Sequence, residues 1–97
     1  NFNGTGTVSV TNSANVSSVT DNGTGEYIVN FSNDLDDANY VVAGAGRDPN
    51  DNTSIANGMG LGRSNSIKED GRCEITTYND ATNSLLDLPE VNAVFIE

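Results

Sequence analysis

The sequence predicts an all-β fold, a small antiparallel β-sandwich, from three observations. Short runs with an apolar residue at every second position recur along the chain, and clusters of Gly, Asn, Asp and Ser separate them. No stretch repeats apolar residues at the three- and four-residue spacing of a helix. The length of 97 residues suits a single domain that spans residues 1–97.

The N-terminal part of the chain predicts one short strand. Thr-Val-Ser-Val at residues 7–10 alternates, and we expect Val8 and Val10 to point inward. A Gly-Thr-Gly segment precedes this strand, and a polar turn at residues 11–14 follows it.

A predicted β-hairpin at residues 15–31 organises the rest of the chain. Its turn is Asp-Asn-Gly-Thr-Gly at residues 21–25, a composition that tolerates the positive φ angles of a tight turn. In the second arm Tyr27, Val29 and Phe31 share one face, which we expect to meet the core. Because an isolated hairpin is only marginally stable in water, further strands must cover it.

Two further strands are predicted in the middle of the chain. Residues 40–46 are apolar almost without interruption, which indicates burial on both faces, either at the centre of a sandwich or at a subunit contact. Residues 54–62 include alternating glycines, and a glycine face lets another backbone or ring pack closely. Loops are expected at residues 32–39 and 47–52, which are rich in Asp and Asn.

Residues 72–78 predict a strand that is rich in β-branched residues, with Cys73, Ile75 and Thr77 on one face. Cys73 is the one cysteine of the chain, so no internal disulfide can form. We interpret it as a small buried or half-buried residue, because the chain has no His that could activate it as a nucleophile.

The last predicted strand, at residues 91–97, is apolar on both faces. A polar turn at residues 79–83 and a connector at residues 84–90 precede it. One face carries Val91, Ala93 and Phe95, and the other carries Val94 and Ile96. We therefore expect Phe95 or Ile96 to face a neighbouring chain.

Composition restricts the partners of the chain. The net charge of -10 and the pI near 4.1 argue against nucleic acid, which requires a basic surface, and against adsorption to an anionic membrane. No apolar run approaches the roughly 20 residues of a membrane helix, so we expect no membrane insertion. Only 35% of the residues are hydrophobic, and such a thin core is often completed by oligomerisation, although a small monomeric sandwich is the alternative.

Several motifs resemble the C-terminal domain of bacteriophage tail fibres and related tail proteins. They are Phe-Asn-Gly-Thr-Gly-Thr-Val at residues 2–8, the hairpin from residue 15 to residue 27, Val-Asn-Phe at 29–31, Ala-Asn-Tyr at 38–40 and Val-Asn-Ala-Val-Phe at 91–95. The resemblance implies a trimeric β-sandwich that forms the C-terminal part of a longer fibre chain. It places the protein in the virion, in a tail fibre or other tail appendage.

The function that this resemblance implies is attachment to the host cell by non-covalent recognition of a surface glycan or protein. The expected partners are two further copies of the chain, the host receptor and other virion tail proteins. The alternative is a structural module that trimerises, caps or connects a fibre and makes no receptor contact.

An enzyme, such as a polysaccharide depolymerase, is the least favoured class. The chain has no His, and its fourteen carboxylates form no recognisable acid–base pair. No cofactor motif is present, because the glycine-rich runs lack the Lys of a phosphate-binding loop. Residues 48–52 resemble the start of a calcium loop, but Thr53 and Met59 replace its Gly and Glu, so we predict a turn and no metal site.

The candidate receptor-binding residues lie where the resemblance is loose, between residues 47 and 88. Sugar sites combine amide and carboxylate side chains with an aromatic face, on loops held by a rigid scaffold. The residues with this chemistry on predicted loops and strand ends are Arg47, Asp48, Asn50, Asn52, Arg63, Asn65, Tyr78, Asn79 and Asp80.

Overall fold

Two antiparallel sheets face each other in the computed structural model, which describes residues 1–49, 57–61 and 66–97. The strands within these ranges are β1 Phe2–Asn3, β2 Ser9–Val10, β3 Val16–Gly23, β4 Glu26–Phe31, β5 Val41–Arg47, β6 Asn57–Gly60, β7 Arg72–Asn79, β8 Ser84–Leu85 and β9 Glu90–Ile96. The first sheet has the order β2-β1-β9-β5. The second has the order β3-β4-β7-β6, with β8 also paired to β7. The described residues contain no helix, so the all-β prediction is confirmed.

The predicted hairpin is present as β3 and β4, which pair from Val16 opposite Phe31 to Gly23 opposite Glu26. The first arm is longer than predicted, because β3 continues through residues 21–23 with a register shift before the turn. Gly23 and Gly25 have φ angles of 136° and 65°, so the glycines of this turn occupy conformations that side chains disfavour.

Side chains from both sheets meet in one core. The fully buried residues with the largest side chains are Tyr27, Ile75, Leu88, Val91, Thr77 and Cys73. Ring pairs join the sheets, since Phe2 of the first sheet lies edge-on to Tyr27 of the second, with centroids 5.0 Å apart. Phe31 meets Phe95 in the same geometry, also at 5.0 Å. The predicted inward face of β4 and the predicted burial of Cys73 are therefore confirmed.

The hydroxyl of Tyr27 connects three segments of the chain inside this core. It donates to the Asp87 carboxylate at 2.7 Å and lies 2.9 Å from the Gly4 carbonyl oxygen, a second acceptor for the same proton. The Asp87 carboxylate also accepts a hydrogen bond from the backbone N–H of Gly25, at 2.7 Å. A Cβ atom on Gly4 would overlap the Tyr27 hydroxyl, so the close approach requires glycine at this position.

The N-terminal strands differ from the prediction. The predicted strand at residues 7–10 is shorter, because β2 comprises only Ser9 and Val10. Val8 packs against the core as expected, whereas Val10 lines a groove between the sheets and stays 43% exposed. β1 was not predicted, because two residues are too few to show a period, yet Phe2 is buried opposite Val91.

β5 is not buried on both faces within the chain. It is an edge strand of the first sheet, and Val41, Ala43 and Ala45 on its outer face are exposed. Its inner face packs against β6, where a Cβ on Gly44 would lie 2.8 Å from the Met59 sulfur. The first of the two predicted explanations, a position at the sandwich centre, is therefore wrong. The second, a subunit contact, stays a prediction.

β9 has the predicted division between two faces. Val91 is fully buried, and Phe95 packs against Phe31 within its own chain. Phe95 is half-buried and Ile96 is 53% exposed, so contact of either residue with a neighbouring chain stays a prediction. The predicted strand at residues 54–62 is present as β6. Residues 54–56 and 62 lie outside the described part.

Two glycines with a positive φ yield a matched test, Gly25 in the hairpin turn and Gly6 between β1 and β2. Gly6 and Gly25 have similar φ angles of 61° and 65°, but a Cβ on Gly6 meets no atom within 4 Å, whereas one on Gly25 would lie 2.5 Å from the Thr77 carbonyl oxygen. Gly6→Ala should cost about 1–2 kcal/mol for the left-handed backbone. Gly25→Ala should cost about 1–3 kcal/mol more, because backbone atoms must move. Urea unfolding measures both, and equal losses would contradict the packing around Gly25.

Tyr27→Phe should destabilise the protein at neutral pH and reduce its sensitivity to alkali. Burial, followed by the hydrogen bond and charge of Asp87, raises the pKa of Tyr27. The unfolded chain therefore loses this proton first, and the stability is fully present below about pH 10 and falls above it. Removing the hydroxyl should cost about 1–3 kcal/mol at pH 7. The free energy of unfolding should then fall less steeply above pH 10 in the variant, and identical slopes would contradict this role.

Candidate functional site

Five of the nine predicted receptor-binding residues belong to the described part of the chain. They are Arg47, Asp48, Tyr78, Asn79 and Asp80. The other four, Asn50, Asn52, Arg63 and Asn65, lie outside it. The calcium-like segment at residues 48–52 also lies mostly outside it.

Arg47 lies at the end of β5, on the outer face of the first sheet. Its Nε donates to Glu90 at 2.7 Å and its second guanidinium nitrogen donates to the other carboxylate oxygen at 2.8 Å. This two-point contact joins opposite residues of β5 and β9. It lowers the pKa of Glu90 and raises that of Arg47. Arg47 thus presents a guanidinium that is oriented and partly neutralised, and its side chain remains 67% exposed.

Tyr78 lies on β7, opposite Gly58 on one side and Leu85 on the other. A Cβ on Gly58 would lie 2.8 Å from the ring carbon that bears the hydroxyl, so the ring lies against the bare backbone of β6. The side chain is half-buried. Such a ring, supported from below by glycine, is suited to stack against a flat apolar surface.

Asn79 and Asp80 belong to the turn between β7 and β8. The Asn79 side chain accepts a hydrogen bond from the Ala81 N–H at 3.0 Å, and the Asp80 carbonyl accepts one from the Asn83 N–H at 3.3 Å. Asn83 has a φ of 52°, which Asn tolerates better than most residues. Asn79 therefore stabilises the turn, while the Asp80 side chain is exposed on it.

The structure brings the five residues to one end of the sandwich but not onto one face. Gly46 approaches Gly58 across the β5–β6 edge, where a Cβ on Gly46 would be 3.3 Å from the Gly58 carbonyl oxygen. Since Gly58 pairs with Tyr78, the end of β5 lies near the end of β7. Arg47, however, is on the outer face of the first sheet and Tyr78 on that of the second. A ligand contacting both would have to span this end.

An exposed apolar patch covers the outer face of the first sheet at the opposite end of β5 and β9. We call Val41, Val94 and Ile96 the outer patch. They are 59%, 49% and 53% exposed. Val41 lies opposite Ile96, and Ala43 opposite Val94, so the patch is continuous across the two strands. The sequence signal for the patch was the apolar character of both strands on both faces.

The described ranges show neither a cluster of metal-binding residues nor a membrane-spanning helix. They contain no group of three or more His, Cys, Asp or Glu residues that could hold a metal ion. In the Asp-rich loop, Asp37 accepts the Asn39 N–H at 2.7 Å, which lowers the pKa of the carboxyl group and fits a turn. The described part of the chain contains no helix long and apolar enough to cross a membrane.

No family model, curated protein or solved structure matches this chain. The tail-fibre resemblance therefore rests on the sequence motifs alone.

Proposed function

We propose that this chain is a tail-fibre-like domain of a bacteriophage virion that attaches to the host cell by non-covalent recognition of a surface glycan or protein. The observation that carries the proposal is the position of the motifs that resemble tail fibres. They contribute Phe2, Tyr27, Phe31, Val91 and Phe95, and all five pack between the sheets. The resemblance thus concerns the scaffold, and the loosely matching residues supply the strand ends at one end of it.

The chemistry of that end supports recognition of a polar ligand. Arg47 offers an oriented guanidinium, Tyr78 a ring supported by Gly58, and Asp80 an exposed carboxylate. Each contact is weak in water because the side chains are largely solvated. Three copies in a fibre, and several fibres on a particle, would raise the effective concentration and so the overall affinity.

The structural-module alternative is favoured by a different observation, the outer patch. Three large apolar side chains that are about half exposed on one flat sheet face are typical of a surface that another chain covers. Self-association through the patch is compatible with attachment at the far end, and we propose a homotrimer in both cases. The two functions differ only in whether the Arg47–Tyr78 end contacts a receptor.

Replacing Arg47, Tyr78 and Asp80 by Ala together tests attachment. We expect binding of the fluorescently labelled domain to a panel of bacterial strains and surface glycans to fall at least about tenfold, as for loss of about 1.4 kcal/mol. The matched control is Arg72→Ala, because Arg72 is also paired with a glutamate, Glu69, at 3.1 Å but lies at the other end of β7. Unchanged melting should accompany both variants.

Two outcomes of that experiment would count against the proposal. If Arg72→Ala weakens binding as much as the triple variant does, the contact is general charge attraction. If the unmodified domain binds nothing on the panel, the structural-module alternative is favoured instead.

Ile96→Asp should weaken self-association. A carboxylate in a covered apolar contact is costly, whereas on an exposed face it is solvated. Light scattering at micromolar concentration should show a trimer for the unmodified chain and smaller species for the variant. Asn22→Asp adds the same charge at the exposed hairpin turn and should leave the trimer intact. A monomeric unmodified chain would contradict the trimer.

A further inference from the structure

Asparagine is followed directly by glycine three times in the chain, at residues 3–4, 22–23 and 57–58. This pair is chemically labile, because the backbone nitrogen after an asparagine can attack the side-chain amide, and glycine obstructs that approach least. The reaction requires the asparagine to rotate out of an extended strand and requires water at its side chain. The fold therefore decides which of the three pairs reacts in the native protein.

The pair Asn22–Gly23 lies at the open end of the β3–β4 hairpin, and both of its residues are exposed. The register shifts between Asp21 and Gly23, so Asn22 is the extra residue of a bulge. The Asn22 side chain makes no hydrogen bond to another described residue. β3 is also the edge strand of the second sheet. The amide of Asn22 is therefore solvated and free to rotate.

The attacking nitrogen at this pair is held only by local contacts that water can replace. The Gly23 N–H donates to the exposed carboxylate of Asp21 at 3.1 Å. Gly23 has a φ of 136°, a conformation that side chains disfavour. β3 ends at this residue, and the ends of edge strands open at low local cost.

The pair Asn3–Gly4 is held on both sides of the reacting bond. The Asn3 side-chain oxygen accepts hydrogen bonds from the Thr5 N–H at 2.9 Å and from the Thr5 hydroxyl at 2.7 Å. The Gly4 N–H donates to the Leu88 carbonyl at 2.9 Å, and Gly4 is buried against the Tyr27 hydroxyl. Attack at this pair therefore requires the contact between the two sheets to open.

The pair Asn57–Gly58 is held within β6. Asn57 lies opposite Asn79, and Gly58 lies opposite Tyr78. The side-chain oxygen of Asn57 is buried, and the Tyr78 ring lies against Gly58. Attack at this pair therefore requires β6 to separate from β7.

We propose that Asn22 is a site of spontaneous covalent modification, at which the folded chain converts asparagine into aspartate and isoaspartate. The Gly23 nitrogen bonds to Cγ of Asn22 and loses its proton to hydroxide, while ammonia leaves from Cγ with a proton taken from water. Water then opens the resulting succinimide ring. Cleavage between the nitrogen and Cγ gives aspartate, and cleavage between the nitrogen and the main-chain carbonyl carbon gives isoaspartate. In sum, one water molecule is consumed and one ammonia molecule is released.

Both products add a carboxylate to a turn that is already acidic. A Cβ on Gly23 would lie 3.2 Å from the Glu26 carboxylate, and Asp21 precedes Asn22 directly. The isoaspartate also lengthens the main chain by one atom, at a bulge where the strands already carry an extra residue. The net charge of the protein therefore becomes more negative with age, through this one turn. The proposal does not depend on the attachment role.

Site-resolved mass spectrometry tests this order of reactivity. The folded protein is incubated in mildly alkaline buffer, and a parallel sample is incubated in guanidinium chloride. In the folded protein we expect the products at Asn22 to form at least about tenfold faster than those at Asn3 and Asn57, which must first open locally. In denaturant the three rates should converge, because each asparagine then has the same neighbour. Enzymatic methylation of isoaspartate identifies the succinimide route.

Asn22→Gln is the matched variant, because its longer side chain must close a larger ring and reacts far more slowly. It should keep the melting temperature, lose the product at this position and leave the rates at Asn3 and Asn57 unchanged. Equal rates at the three pairs in the folded protein would overturn the proposal, as would faster reaction at either of the other two. Absence of product at Asn22, or aspartate without isoaspartate, would also overturn it.

Discussion

The hydrogen bonds of the Tyr27 hydroxyl hold the two sheets together at one end of the sandwich. A buried hydroxyl without an acceptor would cost about 1–3 kcal/mol, and the Asp87 carboxylate and the Gly4 carbonyl both lie within hydrogen-bond distance of it. Gly4 follows β1 and Asp87 precedes β9, and both of these strands belong to the first sheet. Tyr27 belongs to β4 of the second sheet. The same constraint requires Gly4 and Gly25 to lack side chains, because Tyr27 and Thr77 occupy the space that a Cβ would need.

The rest of the core is completed unevenly around this point. At the β5–β6 edge, Met59 lies against Gly44, and glycines let the two sheets approach closely. At the opposite edge the first sheet ends in two-residue strands, β1 and β2, and the groove remains open above Val19. A chain with 35% hydrophobic residues and no Trp fills one side of the sandwich and leaves an open groove on the other.

The sequence predicted the features that have a local cause. The hairpin follows from its turn glycines, and the inner faces of β4, β7 and β9 follow from alternation. What escaped prediction depends on contacts between distant residues. Phe2 is buried because it meets Val91 and the Tyr27 ring, and the sequence shows Asp87 as an ordinary loop residue although it accepts the Tyr27 hydrogen bond. At the candidate site, residue chemistry pointed to Arg47 and Tyr78. The sheet face that each residue occupies is set by strand register, and composition does not reveal the register.

β9 links the two apolar surfaces of the molecule. Its outer side chains, Val94 and Ile96, belong to the outer patch, while Ala93 and Phe95 form a wall of the groove. A substitution in residues 93–96 therefore acts on one surface or the other according to its position, because neighbouring residues of a strand lie on opposite faces of the sheet.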